Sequence, residues 1–172
     1  ENNETIIGPS ALPNLSSNIE YGNSLIDLGS EGLNDANRAI INPYSFRSNF
    51  DVIVGNPPYV SYQSDLLDKS DIDYFKNTYI TPHKIYDLYG LFIEKSIKLL
   101  NNKGRFSFIC PSTLLQNDSF SLLREYISKN INIDKFIFCS DGVFENAVVP
   151  TIIFIFDKEV KNETIDILEA NN

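Results

Sequence analysis

The stretch Phe50-Asp51-Val52-Ile53-Val54-Gly55-Asn56-Pro57-Pro58-Tyr59 constrains this chain more than any other part of it. Phe50, Val52, Ile53 and Val54 form a short, nearly unbroken apolar run, as expected of a parallel strand covered on both faces. Gly55 ends the run, and open α/β sheets place their ligands at the carboxyl ends of such strands. The decamer therefore predicts a buried strand that runs straight into a rigid polar-aromatic loop at the rim of a sheet.

The loop Asn56-Pro57-Pro58-Tyr59 suits a planar amine. An exocyclic amine on an aromatic ring is a poor nucleophile because its lone pair is delocalised into the ring. Two acceptors aimed at its two N–H bonds favour a pyramidal nitrogen with a localised lone pair. Asn56 can supply one acceptor through its side-chain oxygen, and the Pro57 carbonyl can supply the other. Pro57 and Pro58 have no N–H to compete, and their fixed φ sets the loop before substrate arrives. Tyr59 offers a flat face for stacking a base, worth roughly 1–3 kcal/mol. These acceptors gain most as positive charge develops on nitrogen, so they favour the transition state. The plain alternative is a Pro-Pro turn with a packing tyrosine. The strand before it and the flanking Asn56 and Tyr59 favour the site.

At 172 residues the chain fits one domain with a real core. Its 42% hydrophobic and 22% charged residues are ordinary for a soluble globular protein. No apolar run approaches membrane-spanning length and the polar start is no signal peptide, so no membrane partner is expected and the location is expected to be cytoplasmic. Cys110 and Cys139 lie in strand-like apolar runs and are expected as buried free thiols, with no metal site. The net charge of −9 opposes direct nucleic-acid binding by these residues. A DNA-gripping surface is expected on parts outside them.

Residues 1–17 read as an extended lead-in, followed by a short strand at about 19–22 with Asn23 at its carboxyl end. Asn23 could hydrogen-bond a cofactor ring there, and a simple Asn turn is the alternative. Residues 28–49 read as a surface excursion with a weak helical hint at 33–41. Residues 60–86 carry a short helix near 71–77 and are expected to act as a lid. His83, the only histidine, is given no role. From Asp87, a good N-cap, a helix runs to Leu100, with Leu88, Leu91, Phe92, Ser96 and Leu99 on one face and a Glu94–Lys98 pair on another. Then come a strand at 105–110, a helix capped by Asn117 or Asp118, and strands at 133–139 and 150–156. That order predicts an α/β layered sheet, parallel except for an antiparallel last strand.

The Asn-Pro-Pro-Tyr decamer resembles the catalytic motif of amino-methyltransferases that use S-adenosylmethionine. With Leu12–Leu15, Asn18–Asp27, Phe50–Tyr62, Tyr86–Leu100, Gly104–Leu115 and Asp134–Phe156, the chain resembles bacterial restriction–modification adenine-N6 DNA methyltransferases. The likeness is nearest to the branch that fuses nuclease and methyltransferase in one polypeptide. The Asp87-Leu-Tyr-Gly-Leu-Phe helix start sets it apart from protein-glutamine methyltransferases. Residues 28–49 are unmatched.

The resemblance implies an S-adenosylmethionine-dependent, Rossmann-like partial sheet with flanking helices. It makes residues 1–160 the C-terminal part of a catalytic domain and 161–172 a tail or linker towards a target-recognition domain. It implies that Asn56, Pro57, Pro58 and Tyr59 are catalytic, with Asn56 and Pro57 accepting from the adenine amine. Tyr59 and Phe144 are implied to hold the flipped base from its two sides. Asn23, Ser24, Asn56 and Phe92 are implied to contact the cofactor, although the family usually has an acidic residue at the position of Asn23. The implied mechanism is direct in-line transfer without a strong general base. The implied partners are double-stranded DNA, held mainly by missing domains, and a fused or associated endonuclease. No Gly-x-Gly loop occurs, so the family's glycine-rich cofactor loop is expected upstream of Glu1, and the strand ending at Asn56 is expected to be an open edge or to be covered by something unexpected. The isolated chain is expected to be inactive. The competing readings are an RNA-base or protein-glutamine methyltransferase and a non-catalytic scaffold.

Overall fold

The computed structural model describes residues 19, 22–27, 48–82, 86–139, 149–159 and 164–170. The apolar run forms β1 (Phe50–Gly55). After a loop comes α1 (Lys69–Thr78), capped where the Asp68 carboxylate accepts from the Asp71 N–H at 2.9 Å. Next, α2 (Leu88–Leu99) passes directly into β2 (Leu100–Pro111). The short α3 (Thr113–Gln116) and a 3-10 turn whose Asn117 side chain accepts from Ser119 N–H lead into α4 (Ser121–Asn130). Three strands follow: β3 (Asn132–Cys139), β4 (Thr151–Asp157) and β5 (Asp166–Ala170).

The five strands form one sheet in the order β1-β2-β4-β3-β5. β1 runs parallel to β2, with Ile53 opposite Phe106 and Gly55 opposite Phe108. β4 lies antiparallel between β2 and β3, as the short connection to its predecessor required. β5 corrects the sequence reading. Residues 166–170, expected within a tail or linker, pair in parallel with β3, placing Ile167 opposite Phe136. The expected strand near 19–22 and the helical hint at 33–41 fall largely or wholly outside the described residues.

α2 is where the two halves of the core meet. Tyr89, Ile93 and Ile97 pack with Phe106, Phe108, Phe154 and Phe156 of the sheet and with Leu123 and Ile127 of α4. Leu88 and Leu91 pack instead with Leu25, Ile26, Phe75, Tyr79 and Tyr86. The helix is therefore buried nearly all round, where one apolar face was expected. Glu94, expected to pair with Lys98 on another face, makes that pair and is fully buried. A buried carboxylate needs donors. Glu94 accepts from Ile80 N–H at 3.0 Å, Thr81 N–H at 2.9 Å and the Lys98 ammonium at 2.5 Å.

The segment after Tyr59 is consequently anchored. Val60 accepts from Leu88 N–H at 2.8 Å, and Tyr62 N–H donates to the Tyr86 carbonyl at 3.1 Å. This places Ser61 opposite Asp87 in an antiparallel bridge. Asp87 holds the cap position without a side-chain cap bond, and burial pushes its carboxyl above the usual range.

Candidate active site

The parallel pairing of β1 with β2 delivers Asn56 to the carboxyl-end rim of the sheet. Gly55 is needed at that point because a Cβ there would stand 2.7 Å from the Phe108 ring. Asn56 is exposed, and its amide makes no hydrogen bond to another described residue. Pro57 beside it is buried, so the amide stands on a fixed base.

Tyr59 turns the loop back onto the sheet. Its hydroxyl donates to the Ile109 carbonyl at 3.2 Å, and its ring meets Tyr89 edge-on, with centroids 6.3 Å apart. The side chain remains 42% exposed, so the ring is held in place yet reachable. Burial, and then the neighbouring Cys110 and Cys139 thiols, hold its phenol above the usual range and therefore neutral. Burial likewise pushes the Cys110 thiol up, which leaves it inert as a nucleophile. Both cysteines are free and buried, as their apolar surroundings predicted.

A cleft of about 550 Å³ opens beside the loop. β1 and Asn56, Pro57 and Pro58 form one wall, Phe92, Lys95, Ser96 and Leu99 of α2 another, and Ser24 also lines it. Phe92 and the residues three, four and seven places on share one helical face, which explains the second wall. Of the residues the sequence singled out, Ser24, Asn56, Pro57, Pro58 and Phe92 are brought together here. Tyr59 and Asn23 lie outside the lining. Asn23 Oδ1 accepts from Leu25 N–H at 3.0 Å, closing an Asn turn, the plainer of its two readings. Phe144 falls outside the described residues. Lys95 was missed, although its spacing from Phe92 was a usable signal.

Apolar walls, the rings of Phe50, Phe92 and Phe108 and a few polar groups suit a ring system bearing hydroxyl and amine groups. The residues present thus fit the adenosine portion of S-adenosylmethionine. Among the described residues no group of His, Cys, Asp or Glu could hold a metal ion. No described helix is long and apolar enough to cross a membrane.

Comparison with known proteins agrees with this geometry. The sequence matches the family described as Eco57I restriction-modification methylase over residues 4–144. It is 38% identical over 151 residues to the type II restriction enzyme and methyltransferase RM.Eco57I of Escherichia coli, covering 86% of this chain and 15% of that protein. It is 35% identical over 115 residues to the type II methyltransferase M.TthHB8I of Thermus thermophilus, covering 63% of this chain and 26% of that one. Its structure resembles a Listeria monocytogenes protein assigned to the class I S-adenosylmethionine-dependent methyltransferases. The TM-score is 0.60 at 19% identity, over 71% of this chain and 37% of the other. The chain thus spans only a minor part of each relative.

Proposed function

The chain belongs to the Eco57I restriction-modification methylase family, and from that premise we propose that the full-length protein methylates the N6 amine of adenine in double-stranded DNA. S-adenosylmethionine, when bound, supplies the methyl group as an electrophilic sulfonium methyl. The chain's own residues hold and prepare the amine. Asn56 Oδ1 and the Pro57 carbonyl take one N–H each, which draws the nitrogen lone pair out of the ring. Tyr59 gives the base a face on which to stack once it leaves the duplex. The family resemblance assigns the opposite face of the base to Phe144, which lies outside the described residues. Phe92 and Ser24 line the donor side, with Asn23 in the turn beside it. No strong base is required, because the methylated nitrogen is acidic enough to release its proton to water.

The observation that carries this reading is the exposed Asn56 amide, which makes no hydrogen bond to another described residue, on the stiff loop at the mouth of the cleft. A scaffold would have no use for such an amide. The DNA-binding surface and any fused nuclease belong to the rest of the longer protein, since net charge −9 leaves this chain a poor grip on phosphates.

The test is a methyl-transfer assay with the full-length protein on duplex DNA, ribosomes and release factors. Labelled methyl is expected on adenine N6 in DNA alone, and Asn56→Ala is expected to abolish it while the melting temperature stays put. Label on RNA or on a protein glutamine would overturn the substrate. Full activity in Asn56→Ala would overturn the site.

A further inference from the structure

Three side chains from outside the cleft's strand wall converge on one short turn, residues 22–27. The Tyr79 hydroxyl donates to the Leu25 carbonyl at 2.7 Å. Asp27 N–H donates to the Tyr74 hydroxyl at 3.2 Å. The Lys95 ammonium pairs with the Asp27 carboxylate. Leu25 and Ile26 are buried against Phe75 and Leu91 beneath the turn. The turn carries Ser24 to the cleft lining, and Lys95 itself stands in the cleft wall on α2.

Lys95 is an odd choice for that wall. Its side chain is only 9% exposed, and desolvating an ammonium is unfavourable unless a partner compensates. An apolar residue would complete the wall beside Phe92 and Leu99 equally well. What an apolar residue lacks is the grip on Asp27, four places after Asn23 and three after Ser24.

We propose that Lys95, acting through Asp27, is a positioning residue that fixes the Asn23-Ser24 turn on the methyl-donor side of the cleft. The inference rests on the reading of that cleft as the S-adenosylmethionine site. The turn has few bonds within itself: Asn23 Oδ1 to Leu25 N–H, and Ile26 N–H to the Asn23 carbonyl at 3.3 Å. Among the described residues, Tyr74, Tyr79 and Lys95 hold it from outside, together with the burial of Leu25 and Ile26. Of those three, Lys95 is the one that also belongs to the helix carrying Phe92, so it sets the spacing between Ser24 and the Phe92 ring.

The experiment uses the full-length protein, varying S-adenosylmethionine and duplex DNA separately. Lys95→Met and Asp27→Asn are each expected to raise KM for S-adenosylmethionine about tenfold, the weight of one charge-assisted hydrogen bond. The value of kcat is expected to stay within about twofold and KM for DNA to be unmoved. The double variant is expected to be no worse than either single one, because both remove the same link. Lys95→Arg is expected to restore much of the loss.

If Lys95→Met weakens the donor while Asp27→Asn does not, Lys95 touches the donor directly and the positioning role is wrong. Unchanged donor KM in both would reduce the pair to a structural contact. Should Lys95→Met fail to fold, Asp27→Asn decides alone, since its side chain is 43% exposed and tolerates exchange. Wild-type protein that shows no dependence on S-adenosylmethionine would instead remove the cleft reading itself.

Discussion

Gly55 shows how closely the rim of the site is fitted. A methyl group there would meet Phe108 Cε1 at 2.7 Å and Cδ1 at 3.3 Å. Phe106, 4.5 Å away, and Phe154, 6.4 Å away, centroid to centroid, flank the ring and resist its shift. Gly55→Ala is expected to cost about 1–3 kcal/mol of stability by overpacking and to lower activity by displacing Asn56. Urea unfolding checks the first part, and an unchanged midpoint would mean the ring turns aside. At Tyr59, removing the hydroxyl breaks only the 3.2 Å bond to Ile109. Tyr59→Phe is expected to keep DNA affinity, and Tyr59→Ala to lose about 1–3 kcal/mol of base stacking. Titration of a DNA duplex with a mismatched target adenine reads both. Asn56 to Tyr59 were legible in the sequence because their chemistry is contiguous. Lys95 and Asp27 were not, since they stand 68 positions apart and only the fold joins them.

α2 was legible as a helix, but its burial on several sides was not. Its apolar positions repeat at helical spacing, but periodicity counts residues on a face without saying what covers the other faces. Here the sheet covers one side and the Leu25–Phe75–Tyr86 cluster another, so Glu94 is enclosed. Its carboxylate holds the end of the segment after α1 against α2 through Ile80 and Thr81. That is why residues 60–82, expected as a lid, are built into the second core. Glu94→Ala strands two backbone N–H groups and is expected to destabilise the protein by about 2–4 kcal/mol. Amide exchange should accelerate first at Ile80 and Thr81, and equal acceleration across β2 would argue against a local anchor. β5 was missed for the opposite reason. Ile167 is 68% exposed and Leu168 47%, so no buried face writes an alternation into the sequence. Its backbone pairing with β3 is what places it.

Over the whole molecule, buried phenols couple the fold to alkaline pH. Burial, reinforced by Tyr62 and Asp73, pushes Tyr86 up to about 12. Burial also raises Tyr79 and Tyr89 well above the ordinary value. A raised phenol pKa means that the folded state holds its proton more tightly than the unfolded chain. Its stabilisation is complete below about pH 10, the unfolded value, and is lost as pH climbs through about 12. Melting temperature should therefore fall across that window, with tyrosinate absorbance rising together with unfolding. Tyrosinate that forms fully in a still-folded chain would contradict the burial of these hydroxyls. The sheet's other global property is its edge. β1 pairs with β2 alone among the described strands, and Val52 and Val54 stand 60% and 75% exposed in the wall of the cleft. Exposed apolar side chains give a ligand little enclosure on that side. The 172-residue chain by itself is therefore expected to bind S-adenosylmethionine too weakly for calorimetric detection and to transfer no methyl group to DNA. A titration with micromolar affinity would show that the two walls seen here suffice.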